Sequence, residues 1–252
     1  MGMVPDLAFT RPRRLRTVAL VGIDGSGKTT QARLLADTLR AQGWRATYRR
    51  NAGGRRWFGR LATAFGRRDA EALLGRRLML LVESLLRWLA ILDTRLRRRF
   101  TGDLAVMDRY AVCQYASLRA RGAAPAAERR ARLAYRFFPK PDVTFLLEVD
   151  PAVAYDRIEA RGYDHEEMAF LRAAAAAYRS LPEHDDFVVV DANRSPAEVA
   201  AALSAALDAW QDRPAPAPRL PAVVAGARAV VLAAGPLAAG AAVVGRQLTD
   251  VF

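Results

Sequence analysis

Short apolar runs, each closing on a glycine or a carboxylate, alternate along this chain with stretches in which apolar side chains return every three or four positions. TVALVG (17–22) opens the series, and a second strand is predicted near Arg45 to Arg49. LAVMDRY (104–110), VTFLLEVD (143–150) and FVVVDA (187–192) follow. Runs of this length beside turn residues predict buried parallel strands. Between them a helix is predicted from Lys28 to about Arg40, with Leu34, Leu35 and Leu39 inward and Gly43 just past its end. From Glu71 to about Arg99, Leu74, Leu78, Leu81, Leu85, Trp88, Leu92 and Leu96 mark one long amphipathic helix or two joined ones. Its other face is studded with arginines and is predicted to be solvated. Pro151 opens a further helix at a favoured first-turn position, and the alanine-rich stretch 173–177 reads as plain helix. Strands separated by helices predict an α/β fold with a parallel sheet and ligands at the carboxyl ends of its strands.

The same pattern divides the chain. Residues 1–16, MGMVPDLAFTRPRRLR, have neither an uninterrupted apolar core nor a small-residue cleavage site, which predicts a flexible arm and not a secretory signal. Every predicted strand falls within 17–210. Residues 211–252 form a tail: QDRPAPAPRLP is a Pro/Ala linker, and 229–245, AVVLAAGPLAAGAAVVG, are seventeen uncharged residues between Arg228 and Arg246. A membrane span needs roughly twenty strongly apolar residues. This run is shorter, rich in Ala, Gly and Val, and broken by Pro236. A helix packed on the domain or on a partner is therefore favoured over a mobile tail or membrane contact.

Composition narrows the classes. With 252 residues, 52% of them apolar, the chain can bury the core of one large α/β domain. A formal charge of +13 predicts attraction to anions such as nucleotides, nucleic acid or an acidic membrane. No aromatic-rich stacking surface or reading motif accompanies that charge, which argues against specific nucleic-acid binding. Arginine carries nearly all of it, because Lys28 and Lys140 are the only lysines. The single cysteine, Cys113, excludes an internal disulfide, reads as a small buried residue and fits a reducing compartment, with the cytoplasm as the default location. His165 and His184, the only histidines, offer no metal-ligand spacing.

One motif turns the outline into chemistry. VGIDGSGKTTQ (21–31) places Gly22, Gly27, Lys28 and Thr29 in the spacing G-x-x-x-x-G-K-[ST], whose backbone N–H groups surround a triphosphate while the lysine reaches its outer phosphates. Gly22, Asp24, Gly25, Ser26, Gly27, Lys28, Thr29 and Thr30 are the candidate ATP-binding residues. In a chain that otherwise uses arginine, a lysine here points to a need for a compact ammonium. Phosphoryl transfer further needs a metal held by the loop hydroxyl and a carboxylate, and cations that align the acceptor. Thr29 and Asp108 are the candidate Mg²⁺ ligands, and Arg109 and Arg50, each at the end of a strand, are the candidate acceptor-phosphate cations. RIEARGYDHEE (157–167) adds Arg157 and Arg161 on a segment suited to close over the donor.

In this order and spacing the pieces resemble the thymidylate kinase family of nucleoside monophosphate kinases over roughly residues 15–210. GIDGSGKTTQARLLADTL, Arg50 with N-A-G-G where the family usually has R-E-P-G-G, Asp108-Arg109-Tyr110, and PDVTFLLEVDPAVAYDRIEARG carry the likeness. The resemblance implies a five-stranded P-loop sheet flanked by helices, ATP and Mg²⁺, a lid, a small-molecule nucleotide acceptor and usually a homodimer. It further implies that Lys28 and Thr29 bind the donor phosphates and magnesium, that Asp24 contacts the acceptor's sugar or phosphate region, that Arg50 and Arg109 grip the acceptor phosphate, and that Arg161 is the lid cation. Lys28, Arg109 and Arg161 are then the expected catalytic residues. The departures fall on the acceptor side. Leu80 and Ser84 stand where the family typically has a stacking aromatic and, four residues on, a base-contacting arginine; Ser117 replaces a tyrosine, and Asn51 a glutamate. Arg87 and Tyr115 are neighbours able to compensate. The expected reaction is transfer from ATP to dTMP. A kinase of another phosphorylated small molecule, or a nucleotide-binding regulatory or membrane-associated module, are the alternatives.

Overall fold

Val18, Ala19, Leu20 and Val21 expose none of their surface, the condition of a parallel strand covered by helices on both faces. They make up most of strand β1 (Thr17–Val21). Helix α1 (Lys28–Ala41), β2 (Ala46–Arg50), α2 (Arg76–Thr101), β3 (Leu104–Asp108), α3 (Ala111–Ala120), α4 (Pro125–Tyr135), β4 (Val143–Glu148), α5 (Pro151–Glu159), α6 (Met168–Arg179), β5 (Val188–Asp191) and α7 (Pro196–Gln211) follow. The structure, a computed structural model, describes residues 15–51, 76–162 and 165–213, without the side chains of 76, 77, 79 and 80. The arm through residue 14, Leu74, the Leu80 side chain and everything beyond 213, including the apolar run 229–245, lie outside the described residues.

All five strands join one parallel sheet in the order β2-β3-β1-β4-β5. The chain leaves β1 for β2 and β3 and then crosses back over β1 to β4. Connections that depart in opposite directions from the middle of a parallel sheet open a crevice at its carboxyl edge. The register brings Leu20 and Arg50 level with Asp108, and Glu148 level with Asp191. Around the sheet, α1 packs on β1, β2 and β3 and against α7, which also lies on β5. Elsewhere α3 packs on α4 and α6, α6 on α5, and α2 rests on β3 and α3.

Local signals start several of these elements. Asp150 accepts from Ala152 N at 2.7 Å while Pro151 takes the first turn of α5, a position where its missing N–H costs nothing. Ser195 and Glu198 cap α7 reciprocally, with Pro196 between them. At the amino edge, Leu15 is buried, and the N–H groups of Arg16 and Thr17 both donate to Asp142 Oδ2, at 2.6 and 2.7 Å. Packing on the domain thus includes Leu15, two residues before Thr17.

The long helix departs from its pattern. Leu78, Leu81, Leu85, Leu89 and Leu96 are exposed, at 45–67%, whereas Glu83, Arg87 and Thr94 are buried with Ile91. At 100° per residue these sets occupy opposite sides of α2. Of the predicted stripe, Trp88 and Leu92 pack against the core while Leu78, Leu81, Leu85 and Leu96 face outward, and the inward side carries a charged pair, Arg87 Nη2 donating to Glu83 Oε1 at 2.7 Å. Periodicity locates a stripe on a helix but leaves its direction to whatever the helix packs against.

Candidate active site

The loop between β1 and α1 owes its shape to glycine. Gly25 has φ 82°, and a Cβ there would collide with the backbone of Ala154 on α5; Gly27 has φ 85° at the N-cap of α1. Only glycine adopts such conformations without strain. No side chain caps α1, so its first N–H groups and dipole are available to an anion. Lys28, 4% exposed, folds back over the loop: its ammonium donates to Ile23 O and, at 3.3 Å, to Ser26 Oγ, with Asp24 Oδ1 at 3.8 Å. Burial first, and then the charge of Arg109, push its pKa down from 10.5 to about 8, against the opposing pull of Asp24 and Asp108. Thr30 is exposed on the first turn.

Asp108 ends β3 and is 2% exposed. Its Oδ2 accepts from Thr29 Oγ1 at 2.6 Å and from Tyr48 Oη at 3.2 Å, while its Oδ1 is buried with no hydrogen-bond partner. A buried carboxylate oxygen is rarely left so. Together with the Thr29 hydroxyl it makes a hard oxygen pair of the kind Mg²⁺ takes when substrate phosphates complete its shell. Among the described residues no group of three His, Cys, Asp or Glu could hold a metal by itself. Tyr48 was missed in the sequence. The available signal was period two on β2, which puts it on the same face as Arg50. The Arg33 guanidinium covers its ring at 5.2 Å from the centroid.

Arg109 follows Asp108 with φ 79°, the only non-glycine residue with positive φ among those described. A backbone state of this kind costs about 1–3 kcal/mol and persists where surroundings enforce it. Here its N–H donates to Leu20 O at 3.0 Å and its carbonyl accepts from Asn51 Nδ2 at 3.5 Å. The result aims the guanidinium at Asp24 Oδ1, with which it pairs. Burial opposes the charge on Arg109, and Asp24, helped by Cys113 and Asp108, outweighs it, so the guanidinium stays protonated. Asp24 therefore sits between two cations, Lys28 and Arg109.

The structure thus gathers Lys28, Thr29, Asp24, Asp108 and Arg109. Arg50 ends β2 on the same carboxyl edge, exposed and level with Asp108. Arg157 is committed elsewhere, donating to Ala192 O at 2.8 Å and to the carbonyls of Asn193 and Arg194 at 3.3 Å, which ties α5 to the β5–α7 loop. Arg161 is exposed beyond α5 and donates from Nε to Arg157 O at 3.2 Å.

On the acceptor side the buried arginine is Arg87. Its Nη2 holds Glu83, while Nε and Nη1 are buried without partners. Gln114 on α3 is 1% exposed and its Oε1 is likewise unpartnered. Tyr178 on α6 has its phenol pushed well up, by burial first and then by Cys113, and it lies within electrostatic reach of both Arg109 and Arg87. Ser84 and Ser117 are half-buried, and the Ser84 carbonyl accepts from Tyr135 Oη at 2.8 Å. An i, i+4 Glu–Arg pair was the sequence signal for the inward face of α2, one that is ordinary on solvated helices too.

A family model described as thymidylate kinase matches residues 20–203. Among curated proteins, the thymidylate kinase of Bordetella petrii is 33% identical over 216 residues, covering 80% of this chain and 99% of that protein. The probable thymidylate kinases of Pyrobaculum aerophilum and Archaeoglobus fulgidus are 32% and 29% identical, over 73% and 72% of this chain and 92% and 89% of theirs.

Proposed function

The chain belongs to the thymidylate kinase family, and from that premise we propose that it transfers the γ-phosphoryl group of ATP to dTMP, giving dTDP, through the residues gathered at the carboxyl edge of its sheet. The observation that carries this reading is the contiguous series Lys28, Asp24, Arg109, which joins a donor-phosphate loop to an acceptor cation. Lys28 and the N-terminus of α1 take the donor phosphates. Arg109 and Arg50 hold the acceptor phosphate so that its oxygen faces the γ-phosphorus in line, and Asp24 keeps Arg109 in position until that phosphate arrives. Thr29 and Asp108 would hold Mg²⁺, which neutralises charge on the donor phosphates when bound. No covalent intermediate is needed, since such reactions are accelerated by positioning and electrostatics. Arg161 joins as the closing cation on its segment.

Arg87 offers unpaired N–H donors and Gln114 an unpaired carbonyl on neighbouring helices. A base edge with a carbonyl beside an imino N–H, as in thymine, complements that pair, whereas cytosine presents an amino group beside a bare ring nitrogen. Arg87, in place of Ser84, is then the base-contacting arginine. The exposed leucines of α2 support a homodimer built on that helix, because a contiguous apolar stripe on a soluble domain commonly marks an interface. The deciding experiment is ADP production from Mg²⁺-ATP with dTMP, dUMP, dCMP, dGMP, dAMP or no acceptor. The highest kcat/KM is expected with dTMP; a different preferred acceptor, or none, would overturn the reading.

A further inference from the structure

The inward face of α2 raises a question that phosphate chemistry leaves untouched: why a carboxylate is buried one turn before the arginine that reads the base. Glu83 is 7% exposed and Arg87 2%, and their bond of 2.7 Å uses only Nη2 of the guanidinium. Its Nε and Nη1 are both buried and unpartnered. Buried donors are rarely left without an acceptor. In the family pattern an aromatic precedes the base-contacting arginine by four residues. With Arg87 in that role, the position four residues before it holds Glu83, so a charge stands where a stacking ring is usual.

We propose that Glu83 is a positioning residue for acceptor recognition, clamping Arg87 through Nη2 so that its remaining N–H donors are held toward a carbonyl of the base. The inference rests on the preceding reading of Arg87. A free arginine has four rotatable side-chain bonds to immobilise when a ligand binds, and a carboxylate at i−4 fixes them beforehand, which is preorganisation in the ordinary sense. The clamp also compensates the burial of the guanidinium charge, and it fixes the directions in which the remaining N–H donors point. Recognition then depends on oriented, charge-assisted hydrogen bonds more than on stacking. A site built that way rejects an analogue that cannot complete its bonds far more strongly than a stacking surface does. The selected feature is a carbonyl at the base edge, and the rejected one an amino group, whose hydrogens would meet the guanidinium N–H groups.

The test is Glu83→Gln, nearly isosteric and uncharged, compared with wild type for dTMP, dCMP and ATP. Loosening Arg87 should raise KM for dTMP about tenfold, the size of one charge-assisted hydrogen bond. The dTMP-to-dCMP ratio of kcat/KM should fall by a similar factor, with kcat and the KM for ATP changed less than about threefold. Glu83→Asp keeps the charge and should recover part of the discrimination; it also reads the same ratio if the glutamine variant fails to fold. An unchanged dTMP-to-dCMP ratio in both variants overturns the inference, as does a parallel loss toward ATP and dTMP, which would mark the pair as part of the scaffold. A wild-type protein that does not phosphorylate dTMP overturns the underlying assignment, which is a separate result visible before any variant is made.

Discussion

Lys28 is legible in the sequence as a phosphate ligand, but its electrostatic state is a property of the folded site. Buried beside Arg109, its ammonium titrates at about 8 in place of 10.5. The charged form is the one that binds a triphosphate, so kcat/KM for ATP should fall above pH 8, by about tenfold per pH unit. Stability should move the other way. Between pH 8 and 10.5 the unfolded chain holds a proton on this lysine that the folded one has released, so folding gains with rising pH, by about 3 kcal/mol at the limit. Measuring both against Lys28→Met isolates the contribution, since the variant should lack the added stability gain. A wild-type profile for ATP that stays flat to pH 9.5 would refute the depressed value. Tyr48 and Asn51 belong to the same scale with the opposite legibility. Period two on β2 puts Tyr48 on the face of Arg50, but neither its bond to Asp108 nor the brace that Asn51 gives the left-handed backbone of Arg109 can be read from the chain, because both contacts join segments distant in sequence.

Among the elements, α2 separates what a pattern can say from what it cannot. Its heptad-like leucines predict a helix correctly, and Arg76–Thr101 is helical. Yet Leu78, Leu81, Leu85, Leu89 and Leu96 point outward, while the opposite face buries Glu83, Arg87 and Thr94 and only Trp88 and Leu92 of the stripe pack on the core. If that stripe is the interface of a homodimer, Leu85→Glu with Leu89→Glu should convert dimer to monomer in light scattering. The melting temperature should drop only by the linkage to subunit association. Outright unfolding would instead mean that these leucines are core, and an unchanged mass would remove α2 from any interface. By contrast β1, β3 and β4 were readable without ambiguity. A strand buried on both faces has no preferred side to misassign, and its apolar run is continuous.

At the scale of the whole molecule, charge and topology act together. The chain carries a net charge of +13 and the crevice has cations of its own, so nucleotide capture should be assisted by the general field as well as by contacts. Raising KCl from 50 to 300 mM at constant Mg²⁺ should increase KM for both nucleotides several-fold, because the screening length shortens from about 14 to 6 Å, with little change in kcat. Salt-independent KM values would confine the attraction to the site itself. The order β2-β3-β1-β4-β5 explains why the pieces meet at all. Three segments, ending at residues 21, 50 and 108, meet at one sheet edge because parallel strands deliver all their carboxyl ends to the same side. From sequence alone the phosphate loop, the α/β alternation, the strand-terminal Asp108 and Arg109 and the kinship with thymidylate kinases were determined, since each depends on local spacing. The inward turn of Glu83 and Arg87, the bracing of Arg109, the pairing with Asp24 and the lowered proton affinity of Lys28 were decided only by tertiary structure. Each is a relation between surfaces brought together by the sheet, and burial, which sets their energies, has no value until the chain is folded.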